Sequence, residues 1–337
     1  MPVAYAIVSI GQTSSLRTVD VLSDAVTAAR TGLPTSYRVE CRPPWGRRYQ
    51  PVAGAGFHVI LEGSCWLVDQ TGPPVALGVG DILLLPHGDR HGMVDRPGTP
   101  LLPMTYRPDQ TPAREQRRPT DPHTVRIGPD GAAHDGPGTV MLCGMYRFAR
   151  ERPHPLIRDL PDVVHLPARL GQHHQLRTTV DLLANELGAP RPGTQAAVTA
   201  ILDLLLVHLL RAWYEGSPDI GWGAALTDPV VGTALRAIHD DPSRQWTVED
   251  LGALAGMSRA AFARRFKRLV SQGPLTYLTW WRMTLAARLL RESDAPLASV
   301  GRQIGYGSEF AFANAFKRQY GVPPGRYRGW PQKQTAA

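Results

Sequence analysis

The sequence predicts an α+β protein: a small N-terminal β-barrel, a helical connector, and an all-α C-terminal domain built from two copies of one helical unit. Three observations predict it. Short apolar runs cut by Gly and Pro fill residues 1–105. Two helical apolar stripes follow between residues 172 and 215. Near the end, the octapeptide Ala261–Arg268 recurs as Ala311–Arg318, and one repeated unit of sequence implies one repeated piece of structure.

The 337 residues are 43% hydrophobic and 20% charged, an ordinary globular composition with length for two domains. Only three cysteines are present, Cys41, Cys65 and Cys143, and none forms a CxxC pair. That excludes a disulfide framework and a zinc-finger lattice. No run approaches the ~20 apolar residues that span a bilayer; the longest candidate, Ile201–Leu210, is interrupted by Asp203 and His208. The start, Met1-Pro2-Val3-Ala4-Tyr5-Ala6, has no basic stretch before an apolar core, so no signal peptide and no membrane partner are expected, and the expected compartment is the cytoplasm. The net charge is +8, and its placement is informative. Residues 228–330 carry 15 Arg or Lys against 8 Asp or Glu, whereas residues 1–227 carry 21 of each sign. A neutral front and a basic back point to a polyanionic partner for the back alone.

Taken in order, Asp20–Arg30 reads as a short helix with a stripe of Val21, Leu22, Ala25, Val26 and Ala29. Strands are expected at Phe57–Leu61, Cys65–Val68 and Ile82–Leu85, with Gly and Pro turns between them. Residues 107–138 are rich in Pro, Gly, Asp and Arg and read as a long mobile loop. Strand structure resumes at Val140–Cys143, closing a domain of residues 1–165. A connector over 166–223 holds helices near Gln172–Leu187 and Thr194–Glu215. In the second, Val198, Ile201, Leu202, Leu205, Leu209 and Ala212 share a face, which suits either burial within the domain or homodimerisation. Gly216–Gly223 reads as a linker. The last domain, 228–330, is expected to be helical at 229–240, 247–255, 259–270, 274–292, 296–304 and 309–320.

In that last domain the repeat pairs Phe262 with Phe312, Phe266 with Phe316, Lys267 with Lys317 and Arg268 with Arg318. Gly, Pro and Tyr follow each copy in the same order: Gly273, Pro274, Tyr277 and Gly321, Pro324, Tyr327. Each unit reads as helix, tight turn, helix. In the first, Thr247 and Asp250 form a capping-box analogue, Leu251, Leu254 and Ala255 make the buried stripe, Gly256 breaks the helix and Ser258 caps the next. In the second, Pro296 opens a helix bearing Leu297, Val300 and Ile304, Gly305 ends it and Ser308 caps the next. The phenylalanines of each final helix face inward. The opposite faces carry Arg259, Ala260, Ala263, Arg264 and Lys267 in one unit and Glu309, Phe310, Asn314, Lys317 and Arg318 in the other. Such helices suit a DNA major groove. Arg264 can pair with a guanine edge and Asn314 with an adenine edge, while Ala260 and Ala263 offer only methyl contacts. Lys267, Arg268, Lys317 and Arg318 are placed for phosphates.

The run from Thr247 to Ser258, Phe262, Phe266-Lys267, Ile304 to Ser308, Phe312, Phe316-Lys317 and Gly321 to Arg328 strongly resembles the DNA-binding domain of the AraC/XylS family of bacterial transcription regulators. The resemblance covers about 100 residues and its second half is the more specific. It implies two helix-turn-helix units joined by a long helix, Pro274–Arg291, reading two successive major grooves of double-stranded promoter DNA. In the N-terminal part, Gly80, Pro86, Gly88 and His91 fit the second cupin motif, G-x5-P-x-G-x2-H, and Phe57–Gly63 resembles the end of the first, without its His-x-His pair. The expected α+β fold is therefore a cupin-like β-barrel, a helical connector and a double helix-turn-helix domain. The resemblance implies that the barrel senses a small-molecule effector. Strand alternation turns His58 inward and the motif sets His91 at the barrel mouth, so both are expected in its pocket. Effector linkage is expected to act on the population competent for DNA or for RNA polymerase.

His58, His87, His91 and Cys143, with Cys41 as a further candidate, are chemically competent for zinc or another transition metal, although the missing His-x-His pair departs from the usual cupin set. A thiol switch through Cys41, Cys65 or Cys143 is the alternative to plain packing, and Cys65, alternating with Trp66, reads as packing. The leading reading is a regulator without catalytic residues. One rival is a metal-dependent cupin enzyme with an accessory DNA-binding domain, weakened by too few ligands for an open metal site. Another is an architectural DNA-coating protein.

Overall fold

The computed structural model describes residues 20–68, 72–104, 117–118, 121–128, 138–148, 153–169, 171–216 and 221–329. The N-terminal six residues, most of the loop expected over 107–138 and residues 217–220 of the expected linker lie outside them. The chain opens with helix α1 (Val21–Ala29), capped by Asp20, whose carboxylate accepts from the amides of Leu22 at 3.0 Å and Ser23 at 3.4 Å. Strands follow: β1 (Thr35–Cys41), β2 (Gly46–Tyr49), β3 (Gly54–Glu62), β4 (Cys65–Val68), β5 (Val75–Leu77), β6 (Ile82–Leu85), β7 (His91–Val94), β8 (Leu102–Pro103), β9 (Arg117–Arg118), β10 (Asp121–Ile127) and β11 (Thr139–Arg147). The one-turn helix α2 (Pro155–Arg158) and strand β12 (Val164–Leu166) complete this part.

The strands form two sheets, one ordered β12-β6-β3-β11-β1-β10-β9 and the other β5-β4-β7-β2-β8. Alternation sorts their side chains. Tyr37, Val39, Cys41, Ile60, Leu83, Met141 and Cys143 point from the larger sheet toward Tyr49, Leu67, Leu77 and Met93 of the smaller, making one apolar interior. Phe57, Val59, Ile82, Leu84, Leu142 and Tyr146 point the other way, into a core shared with the helices. Two covered faces explain why β3 and β6 read as nearly continuous apolar runs rather than alternating ones.

The expected mobile loop is corrected at β10. This strand pairs in parallel with β1, buries Val125 and Ile127 in the barrel, and sets Arg126 on Glu40 at 3.1 Å. Two apolar residues among charges and prolines gave too short an alternation to register as a strand.

Helices α3 (His174–Gly188) and α4 (Thr194–Glu215) pack together over the larger sheet. By length and composition α4 could cross a membrane, with a mean hydropathy of 1.7 over its most apolar window. Its Val198, Leu202, Leu205, Leu206, Leu209 and Leu210 are buried here, Asp203 pairs with Arg30, and the Leu202 carbonyl accepts from the Tyr146 hydroxyl at 3.0 Å. The expected linker is likewise corrected: α5 (Gly221–Thr227) is helical and buries Trp222 and Ala225.

The remaining helices are α6 (Pro229–Asp240), α7 (Val248–Ala253), α8 (Arg259–Val270), α9 (Pro274–Glu292), α10 (Leu297–Gln303), α11 (Glu309–Tyr320) and α12 (Pro324–Arg328). Their packing divides at α9. Its first half, with Tyr277, Leu278, Trp280 and Trp281, belongs to the core that runs from the sheet through α1, α4, α5, α6 and α8. Its second half, with Met283, Ala286, Ala287 and Leu290, belongs to a separate core shared with α10 and α11.

Candidate functional site

The repeat is a physical duplication. In α8 the Phe262 and Phe266 rings lie 5.7 Å apart, and Phe266 meets Tyr277 at 6.1 Å. In α11 Phe312 and Phe316 are again 5.7 Å apart, and Phe316 meets Tyr327 at 5.2 Å. All four phenylalanines are fully buried. Each helix before them ends on a glycine in the left-handed region, Gly256 at φ +65° and Gly305 at φ +86°. The turns differ in length, because Gly256 precedes Ser258 by two residues and Gly305 precedes Ser308 by three.

The capping expectations divide. Thr247 and Asp250 form a complete capping box, and Ser308 accepts from the Ala311 amide at 3.2 Å. Ser258 occupies the cap position of α8 but makes no side-chain cap bond, so its hydroxyl is left facing outward at the helix start.

The anchored sides of α8 and α11 fix what the other sides present. Arg259, Ala260, Arg264, Lys267 and Arg268 are exposed on α8, and Ala263 is half-buried. Glu309, Phe310, Asn314, Lys317 and Arg318 are exposed on α11. Arg259 spans the turn to Glu249 at 2.9 Å. Several basic residues of this domain serve the fold instead. Arg265 holds Asp228, the cap of α6, at 2.7 Å. Buried Arg282 donates to the carbonyls of Pro242 at 2.6 Å and Arg244 at 2.8 Å, and Arg291 donates to the Tyr327 hydroxyl at 2.9 Å. Arg264, Lys267, Arg268, Lys317 and Arg318 form no ion pair among the described residues, so the outward faces of α8 and α11 carry five cations that the fold does not pair.

Inside the barrel, His58 on β3 lies opposite Cys143 on β11, and Tyr49 on β2 lies opposite His91 on β7. The two sheets bring the pairs together. His58 Nδ1 is 3.0 Å from Cys143 Sγ, His58 Nε2 is 2.7 Å from His91 Nε2, and His91 Nδ1 is 3.0 Å from the Asp89 carbonyl. The Tyr49 ring stacks on His91 at 4.9 Å. His91 Nδ1 donates to the carbonyl; in the uncharged arrangement of the row its Nε2 accepts from His58 Nε2–H, and His58 Nδ1 accepts from the Cys143 thiol. Burial pushes the Cys143 thiol up, and burial, with His91 beside it, holds the His58 imidazole well below its usual range. A cavity of about 30 Å³ adjoins the row, lined also by Tyr37, Gln50, Leu85 and Met145.

The expected metal set does not assemble. His58 turns opposite ring nitrogens to its two neighbours, so Cys143 and His91 sit at opposite edges of one ring rather than around one point. His87 faces away and donates to the Leu160 carbonyl at 3.0 Å. Among the described residues no group of three His, Cys, Asp or Glu side chains converges to hold a metal. The thiols are not activated either: all three are buried, and burial pushes Cys65 up to about 12 and Cys41 well above its usual range.

Sequence reasoning missed a second buried row at the junction of barrel and helices. The Leu156 amide donates to His154 Nδ1 at 3.0 Å, so His154 Nε2–H donates to the Tyr277 oxygen at 3.3 Å. Tyr277 O–H donates to His239 Nε2 at 2.8 Å, and His239 Nδ1–H donates to the Asp24 carboxylate at 3.2 Å. Both imidazoles are buried and held below their usual range by that burial, and they pack against Trp280 at 4.8 Å and Trp281 at 4.1 Å. The available signal was His154 followed by Pro155, a helix cap with proline at the first helical position. Tyr49 was missed because the Arg47-Arg48 pair hides its strand.

A barrel with an enclosed polar row, joined to a duplicated helix-turn-helix pair with basic outward faces, defines a ligand-sensing, DNA-binding transcription regulator. Comparison with known proteins agrees. A family model described as Cupin matches residues 20–215, and one described as Helix-turn-helix domain matches residues 251–329. A putative AraC-like transcription regulator of Streptomyces lividans is 38% identical over 319 residues, covering 93% of this chain and 99% of its own. The regulator MtrA of Neisseria gonorrhoeae is 30% identical over 316 residues, covering 92% and 98%. Among solved structures, the DNA-binding domain of AdpA in complex with a target DNA is 37% identical and covers 31% of this chain and 92% of that one, with a TM-score of 0.29. The chain belongs to the AraC-like transcription regulators.

Proposed function

We propose that the chain binds promoter DNA in the cytoplasm by laying α8 and α11 into successive major grooves, under the control of a small effector bound in the barrel. The observation that carries this is the duplicated Phe–Phe–Tyr anchor, which leaves two equivalent helices with outward faces of base-reading and phosphate-binding residues. The 19 residues of α9 between them span roughly 28 Å, close to the ~34 Å between turns of one DNA face. Ser258, Arg259, Ala260, Ala263 and Arg264 from α8, with Ser308, Glu309, Phe310 and Asn314 from α11, face the bases. Lys267, Arg268, Lys317 and Arg318 hold phosphates.

The division of labour follows the chain: residues 1–165 sense, 166–223 couple or dimerise, and 228–330 bind DNA. His58, His91 and Cys143, with Tyr49, meet the effector. The row from His154 through Tyr277 and His239 to Asp24 carries its influence, because a ligand preferring one arrangement of barrel and helices shifts the population competent for DNA and for RNA polymerase. Half-exposed Leu182 and Leu204 on α3 and α4 give a second copy of the chain a face to pack on. Among the described residues the barrel's candidate donors do not converge, which does not support the metal-enzyme rival.

The test is selection of duplexes from a randomised pool by the full-length chain, followed by affinity measurement on the selected sequence. A recovered consensus with contacts one helical turn apart supports the reading; binding that ignores sequence and only follows salt defeats it. An effector that binds the barrel yet changes neither DNA affinity nor transcription defeats the linkage.

A further inference from the structure

Phe310 stands out on the outward face of α11. Its ring is 77% exposed, the most exposed large hydrophobic side chain among the described residues. The other aromatic residues of this unit, Phe312, Phe316, Tyr306, Tyr320 and Tyr327, all pack into or against its core. Leaving one phenyl ring in water forgoes the free energy of burying it. The fold does not need that ring outside, and its placement is specific. It lies in the first turn of α11, four residues before Asn314 and seven before Lys317 on the same exposed face. Glu309 precedes it and the exposed residues that follow on its face are Asn314 and Lys317, so it is a single apolar point on a polar face.

We propose that Phe310 reads the C5-methyl group of a thymine in the major groove. The inference rests on the DNA-binding reading above and deepens it. A phenyl ring neither donates nor accepts a hydrogen bond, so it cannot read the nitrogen and oxygen edges of any base. The thymine methyl is the one apolar group that the major groove edge of DNA displays. Position supports this, because residues at the N-terminal end of a recognition helix reach base edges while later cations meet the backbone. Spacing adds a further constraint. Four residues of helix rise about 6 Å, and base pairs are stacked ~3.4 Å apart. The thymine met by Phe310 therefore lies one or two base pairs from the adenine met by Asn314. The equivalent position on α8 is Ala260, also exposed, which offers a single methyl and a weaker form of the same preference.

The experiment uses the full-length protein and the duplex it selects from a randomised pool. Each thymine in turn is replaced by deoxyuridine, which removes only the methyl. The expected result is one position in the α11 half of the site where the replacement weakens wild-type binding about fourfold, the value of one buried methyl group. Phe310→Ala lowers affinity for the thymine site and binds the thymine and uridine duplexes equally, while Phe310→Leu keeps part of the difference. Circular dichroism and melting of both variants match wild type, because the ring supports nothing in the fold. If the chain selects a sequence but no uridine replacement distinguishes wild type from Phe310→Ala, the proposal is overturned and the DNA-binding reading stands. If the variant keeps the uridine effect and full DNA affinity but loses transcription, the ring serves a protein partner and the proposal is again overturned. If the chain selects no sequence at all, both fall together.

Discussion

At the scale of single residues, the two faces proposed to meet DNA divide into groups with different expected behaviour. Arg264→Ala and Asn314→Ala are expected to cost about 1–3 kcal/mol on the selected site and to relax preference at one base pair each. Lys267→Ala and Lys317→Ala are expected to weaken all duplexes alike and to lower the salt slope by about one each. Titrations on matched and single-substituted duplexes at several salt concentrations separate the two groups. The exposure of these residues was legible because Phe spacing at i, i+4 fixes the buried side of a helix and hence its opposite. His58 was legible for a similar reason: strand alternation alone turns it inward, and β3 places it there. The bonds of His58 were not legible, since they depend on β3, β7 and β11 meeting across two sheets. Three of the four metal-competent side chains, His58, His91 and Cys143, therefore turned out to be a row of hydrogen-bonded partners.

At the scale of elements, the duplication is not symmetric in its surroundings. The α8 anchor lies in the core that continues into the barrel domain, whereas the α11 anchor has its own small core. Phe266→Ala and Phe316→Ala each empty a fully buried site and are expected to cost about 3–5 kcal/mol. Their consequences should differ. Phe266→Ala should lower hydrogen-exchange protection in α5, α6 and α9 as well as α8, while Phe316→Ala should loosen α10 to α12 and leave the barrel protected. Equal loss throughout the chain from both variants would contradict the division. Long helices were read well from sequence, with Thr194–Glu215 and the two anchor helices found at the bounds observed. Their stripes and caps are local signals. The short elements α2, α5 and β10 were not read, because each is held by distant partners: β10 by β1, α5 by α8, and α2 by the row through His154.

At the scale of the whole molecule, three buried imidazoles, His58, His154 and His239, are held below their usual range, chiefly by burial. An unfolded chain protonates them near pH 6.5, whereas the folded chain resists, so the unfolded state binds more protons below that value. Stability is therefore complete above about pH 6.5 and falls as the solution is acidified, by up to ~1.4 kcal/mol per pH unit for each imidazole. Melting temperatures measured from pH 8 to pH 5 should fall on the acid side, and His154→Phe should flatten that fall. Tyr277→Phe removes the hydroxyl that joins the His154 and His239 ends of the junction row. It should cost about 1–3 kcal/mol of stability and weaken the response of DNA affinity to effector more than it weakens DNA affinity itself; an undiminished response would show that the influence travels elsewhere. The order of domains was legible from the shift between Gly- and Pro-punctuated runs and helical stripes. Their union was not, because a core that crosses from sheet to helices leaves no local mark. One rod, α9, has its front half sunk in the first of these cores and its rear half in the second, so the two readers sit on it like teeth on a key. Slipping one extra base pair between the two contact sets turns one of them by ~34° about the duplex axis and shifts it by ~3.4 Å. A stiff key does not follow such a change, so the proposed docking of both helices predicts that selected sites keep a constant gap between their two words.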